Sequence, residues 1–161
     1  MTSRNPFAHR NLPRLLLEAR EAVMRHTRPS LRQHGLSDQQ WRVLRVLGEH
    51  APDPEGVEVT RVAREAFLLG PSLTGVLARM ERDGLVTRHR CSRDGRRTMV
   101  RATAGGLALV DTLSKAIESH YAWLESQLGK ARLIQLYALL DDVIALEAPT
   151  GGAEGEDTHD G

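Results

Sequence analysis

Apolar residues recur every three or four positions along most of this chain, and one stretch breaks the rhythm. Between Leu85 and Arg101 the pattern becomes short, polar and rich in arginine. A spacing of three to four builds one apolar stripe along a helix, whereas a short run of β-compatible residues bounded by a polar tip suits a hairpin. Two strand-like runs, Leu85–Arg88 and Arg97–Arg101, flank the tip Arg90–Arg96, which contains Asp94-Gly95. The spacing predicts a mainly α-helical chain carrying one two-stranded wing.

The helices can be bounded from their start and stop residues. Leu12, Leu15, Leu16, Ala19 and Val23 share a face of a first helix reaching His34, with Pro13 in its first turn and Gly35 as its stop. Ser37 restarts a helix, with Gln40 completing a capping-box pattern and Trp41, Leu44 and Leu47 on one side. Two prolines and a glycine make Ala51–Gly56 a loop. Val57–Ala66 reads as a short helix, and Pro71 opens another that stops at Gly84. Thr103 caps a long helix of about five turns, apolar at Leu107, Val110, Leu113, Ile117, Tyr121, Leu124 and Leu128 and broken by Gly129. A last helix runs from about Ala131 to Glu147. Residues 1–10 are expected to be a flexible arm and 148–161 a disordered acidic tail.

With 161 residues and 40% apolar side chains, the chain is expected to form one compact domain over residues 11–147. The lone cysteine, Cys91, excludes an internal disulfide. The N-terminus lacks the apolar run of a secretory signal, so a cytoplasmic location is expected and no membrane span is foreseen. The seven histidines show no paired metal-ligand spacing, and Asp141-Asp142 sit side by side on a helix, where neighbours diverge. No cofactor, metal or catalytic residue is expected, and the chain is read as not an enzyme.

Charge points to a partner. The net charge is only +1, yet residues 57–101 hold ten arginines against five acids, and all but two of the 22 basic residues are arginine. Guanidinium groups pair with phosphates and guanine edges through two parallel donors. Helix, tight turn, helix and basic hairpin, in that order, describe a winged helix-turn-helix, with its DNA-binding lobe at about 57–101. Small residues at the start of the second short helix, Ser72, Thr74 and Gly75, allow close approach to DNA, with Arg79 on the same side. Arg61 in the preceding helix and Arg90, Arg93, Arg96 and Arg97 around the tip complete the expected contacts. Asp94 is expected to brace Arg96 or Arg97.

The stretch LTGVLARMERDGLVTRHRCSRDGRRTMVRATAGG resembles the core of the multiple-antibiotic-resistance regulator (MarR) family, through Met80–Val86, the tip Asp94-Gly95-Arg96, and Thr103 before Gly106. Ala102 departs from it, standing where leucine commonly precedes the threonine. Asn11–Glu21, Ser37–Arg42 and Arg79–Gly84 are similar to the branch that regulates degradation of homoprotocatechuate and related aromatic acids. The resemblance implies a homodimer joined by outer helices, here about 11–34 and 104–147. It also implies two wings on a pseudo-palindromic operator in double-stranded DNA, repression, and modulation by a small aromatic carboxylic acid. It places a ligand pocket near the dimer junction, where His9, Asn11 and Arg14 begin the first helix, with Ser30 and His34 approaching from its end. A planar monoanion needs a paired-donor cation and an apolar slot, which Arg14, Arg42, Arg45 and Trp41 offer. Arg14 is the expected carboxylate partner and Trp41 the ring flank. Trp41 as a plain core residue, the N-terminal residues as simply exposed, Cys91 as incidental or redox-active, and a constitutive DNA-binding dimer without ligand all stand as alternatives.

Overall fold

The structure, a computed structural model, describes residues 7–147. The expected tail lies outside the described residues, as do the first six of the expected arm; residues 7–10 carry no regular structure. Six helices and three strands follow among the described residues: α1 (Leu12–Gln33), α2 (Asp38–Glu49), β1 (Val57–Glu58), α3 (Val59–Glu65), α4 (Gly70–Arg82), β2 (Val86–Arg90), β3 (Thr98–Ala102), α5 (Ala104–Leu128) and α6 (Lys130–Ile144). The chain divides into two compact units, Met1–His120 and Tyr121–Gly161. The first holds α1 to α4, the sheet and most of α5.

The order is that of a winged helix-turn-helix, with three departures from the sequence-based expectation. Val57 and Glu58 are not the start of a helix; they form β1, which pairs antiparallel with β3 through Val57 opposite Val100 and Glu58 opposite Met99. The wing hairpin β2–β3 thus gains a third strand, in the order β1-β3-β2. A two-residue strand has no period of its own, so only its partner reveals it. The hairpin register, Val86 opposite Ala102 to Arg90 opposite Thr98, lies about one residue further along than the apolar runs suggested. α5 runs between the expected Thr103 cap and Gly129 break, but α6 ends at Ile144, short of the expected Glu147.

Helix ends are set by side chains and by left-handed residues. Asn11 Oδ1 accepts the Arg14 amide at 3.0 Å and so caps α1. The Ser37–Gln40 capping box is formed, with reciprocal bonds of 3.2 and 2.9 Å. α1 and α4 close identically: Gly35 and Gly84 adopt positive φ, and the following Leu36 and Leu85 amides reach back to Leu31 and Met80 oxygens at 2.9 Å.

The core of the first unit lies where α2, α4 and the sheet meet. α4 buries Leu73, Val76, Leu77 and Met80, a stripe at spacings of three and four. α2 contributes Val43, Leu44 and Leu47, and the sheet contributes Val57, Val86 and Val100. α2 touches α3, α4 and β3, so it is the hub of the lobe. In the second unit Leu133 is the buried residue of α6.

α4 is joined to the start of α5 by a close backbone approach. The Thr103 amide donates to Leu85 O at 3.0 Å, its hydroxyl to Gly84 O at 2.6 Å, and the same hydroxyl accepts the Gly106 amide at 3.0 Å. A Cβ at Gly106 would sit 2.2 Å from Leu85 O, whereas at Gly105 the nearest atom would be 3.6 Å away. Gly106→Ala should therefore destabilise the protein by about 2 kcal/mol or more. Gly105→Ala should be neutral or stabilising by up to about 1 kcal/mol. Urea unfolding of both variants checks the contrast.

Candidate nucleic-acid interface and ligand cleft

The outward face of α4 is Ser72, Thr74, Gly75, Ala78 and Arg79, all exposed, opposite its buried stripe. The Thr74 hydroxyl donates to Gly70 O at 3.1 Å, and Arg79 makes no ion pair among the described residues. Small side chains along the first turns leave backbone N–H groups open to an approaching phosphate.

The wing is shaped by its acids. Asp94 O accepts the Arg97 amide at 3.0 Å, and Asp94 Oδ1 accepts the Arg96 amide at 3.1 Å and Nε at 3.3 Å. Asp94 thus braces Arg96, whose side chain is 94% exposed. Arg97 goes elsewhere: it pairs with Glu58 of β1, and its guanidinium holds the Glu58 carboxyl below the usual carboxylate range. Arg90 donates to Gly95 O at 3.4 Å across the tip, and Arg93 is exposed. Ser92 donates to Glu55 Oε1 at 2.8 Å and Arg101 to Pro54 O at 3.2 Å, tying the wing to the 51–56 loop.

Arg61 on α3 is committed differently. Its Nε donates to Glu65 Oε1, while His50 Nε2 lies 2.9 Å from Glu65 Oε2. Arg61, and then His50, hold the Glu65 carboxyl below its ordinary range. Cys91 is buried, its amide donating to Arg97 O at 2.9 Å, so the thiol belongs to the wing's packing. Sequence reasoning missed Glu55 and Glu58, because partners 37 and 39 residues away leave no local signal.

The expected ligand residues fall into three places. His9, Asn11 and Arg14 line an open hollow of about 710 Å³ built by residues 7–15 and Glu18, with Arg14 Nε bonded to Glu18 at 2.8 Å. Ser30 and His34 lie at the far end of α1, roughly 28 Å of helix rise away, where His34 Nδ1 meets Ser30 O at 2.8 Å. Trp41 and Arg45 line a cleft of about 260 Å³ between α2 and α5, with Gly48, Glu49, Val110, Ser114, Ile117 and Glu118. This cleft and the N-terminal hollow share no residue. Trp41 is only 7% exposed, a core residue with one edge on the cleft. Arg45 bonds Glu49 at 3.1 Å. Arg42 turns to the other side of α2 and donates to Ala66 O at 2.7 Å and Phe67 O at 3.1 Å. Burial, followed by the nearby Arg20 charge, lowers its pKa from the ordinary arginine value.

An exposed recognition helix beside an arginine-tipped, three-stranded wing defines a DNA-binding protein of the winged helix-turn-helix class. A family model of the MarR family matches residues 34–97. The homoprotocatechuate degradative operon repressor of Escherichia coli is 41% identical over 138 residues, covering 86% of this chain and 90% of its own. Two solved structures are similar as well. Transcriptional regulator PA4135 gives a TM-score of 0.80 at 40% identity, covering 87% of this chain and 100% of that one. NadR in complex with 4-hydroxyphenylacetate gives 0.74 at 35% identity, covering 91% and 100%. The chain belongs to the MarR family of transcriptional regulators.

Arg96 is the wing residue whose role is easiest to isolate, because its side chain touches little of the protein. Arg96→Ala should leave the thermal midpoint unchanged and weaken DNA binding. It should also reduce the slope of log affinity against log salt by about one for each phosphate that is no longer neutralised. Anisotropy titrations across a salt series provide the measurement, and an unchanged slope would remove Arg96 from the interface.

Proposed function

We propose that this protein is a dimeric repressor that binds a pseudo-palindromic operator and is released by a small aromatic carboxylic acid held in the α2–α5 cleft. The observation that carries the ligand reading is the pairing of Trp41 and Arg45 on one cleft of the same helix whose other side, through Arg42, grips the α3–α4 turn. A ring against Trp41 and a carboxylate on Arg45 would be read by the helix at the hub of the DNA-binding lobe. Two glutamates line the cleft, so the ligand carboxylate has to take Arg45 from Glu49. Similarity to NadR, solved with 4-hydroxyphenylacetate, and to a repressor of homoprotocatechuate degradation supports the chemical class. Within one chain Arg45, rather than Arg14, is the cation beside Trp41.

Ligand and operator are linked only through the difference in the ligand's affinity for the two conformations, about 1–3 kcal/mol for typical effectors. Titration calorimetry with 4-hydroxyphenylacetate should show binding to the native protein, none to Arg45→Ala, and nearly native ligand-free operator binding by that variant. Arg14→Ala run in parallel assigns the cation: if that variant alone fails to bind, the carboxylate belongs in the N-terminal hollow. No binding of this or related aromatic acids by the native protein would favour the ligand-independent DNA-binding dimer.

Dimerisation has its own support. α6 leaves Ile134, Leu136, Tyr137, Leu139 and Ile144 exposed, and α1 leaves Leu12 and Leu17 exposed, large apolar side chains of the kind that mark an interaction surface. A second copy related by a two-fold axis would cover such apolar faces and set two recognition helices one DNA turn apart. Sedimentation at micromolar concentration should give a dimer, and Leu139→Asp with Ile144→Asp should give a folded monomer that binds operator far more weakly. A native monomer binding one-to-one with full affinity would overturn this.

A further inference from the structure

Among the described residues, five have a left-handed backbone. Four are glycines, Gly35, Gly56, Gly84 and Gly129; the fifth is Phe67, with φ of 51°. Phe67 occupies the position in the α3 ending that Gly35 and Gly84 occupy after α1 and α4. Its amide donates to Arg64 O at 3.2 Å, and the next amide, of Leu68, donates to Ala63 O at 2.9 Å. A Cβ in this conformation crowds its own backbone, so glycine is the unstrained choice. The ring gains no shelter in return: Phe67 is 86% exposed, and Leu69 is 79% exposed, on either side of buried Leu68. Arg42 holds this arrangement from behind through Ala66 O and Phe67 O. A strained backbone that displays two large apolar side chains marks a place where the display itself is used.

Its location says by what. Leu69 is the residue preceding α4, whose exposed face carries only small or polar side chains and Arg79. Among base edges in the major groove, the thymine C5-methyl is the apolar group, and the outward face of α4 offers it single methyl groups on Thr74 and Ala78, far smaller than the side chains of Phe67 and Leu69. We propose that Phe67, with Leu69 beside it, reads thymine by packing on C5-methyl groups at the edge of the groove that α4 enters. This rests on the reading that α4 faces DNA, and Phe67 adds sequence preference where Arg79 and the wing arginines add phosphate affinity.

The test uses the full chain and a duplex selected by it from a random-sequence pool. Each thymine is then replaced singly by deoxyuridine, which deletes the methyl and keeps every hydrogen-bonding group. At one or two symmetry-related positions native affinity should fall about fourfold, the worth of one methyl group. Phe67→Gly, which suits the left-handed turn and should keep its thermal midpoint, loses the contact in both half-sites of the dimer, so it should bind the thymine duplex about sixteenfold more weakly and no longer distinguish it from the uracil duplex. Leu69→Ala should behave in the same direction. Arg79→Ala should weaken binding to both duplexes alike and keep the discrimination. Native protein indifferent to deoxyuridine at every position, or Phe67→Gly that still discriminates, would overturn the thymine reading while leaving α4 on DNA. An Arg79→Ala variant with native affinity would remove α4 from the interface and the inference with it.

Discussion

The turn between α3 and α4 is held by one arginine, and the DNA-binding surface depends on it. Arg42 extends from α2 and donates to two successive carbonyls at the end of α3. These groups lack helical partners, and a charged donor satisfies them more strongly than water would at a partly buried site. Because α2 also packs on β3, the same helix fixes the recognition helix and the root of the wing. The buried stripe of α4 then determines which of its residues face outward. An error in the turn would rotate that stripe out of the core, so packing and backbone hydrogen bonding support the same arrangement.

The wing uses acids to organise arginines rather than to oppose them. Glu58 orients Arg97, Asp94 braces Arg96, and Glu55 ties down Ser92. Each of these pairs is largely exposed, where ion pairs contribute little to stability. Their effect is geometric: they reduce the number of positions a long side chain samples before it meets a phosphate. The near-neutral total charge of the chain therefore conceals a surface in which cations and acids have separate tasks.

α2 has two sides with different duties. One lines the Trp41–Arg45 cleft with α5, and Gly48 lets Val110 approach to where a Cβ would lie 3.1 Å away. The other carries Arg42. A rigid helix of twelve residues connects the two over a short distance, which is a physical route for an event in the cleft to reach the turn.

Local chemistry makes much of this legible in the sequence. The glycine stops at Gly35 and Gly84, the Ser37–Gln40 box, the Thr103 cap, the helical stripes and the basic hairpin each depend on residues within a few positions, and each is readable from the chain alone. What lies beyond such reading involves partners far apart in sequence. β1 exists only because Val100 is there to pair with it, Glu58 finds Arg97 across 39 residues, and Arg42 reaches 24 residues to Ala66. The expected ligand residues illustrate the same limit, since closeness in the sequence and a shared helix did not bring Arg14, Ser30 and Trp41 together in one chain. The order of the helices, the place of the wing hairpin and the class of partner were thus determined by the sequence through periodicity, capping and charge. The register of the third strand, the partner of each arginine and the separation of the cleft from the N-terminal hollow were decided by tertiary packing, because only burial chooses among contacts that the sequence leaves equally available.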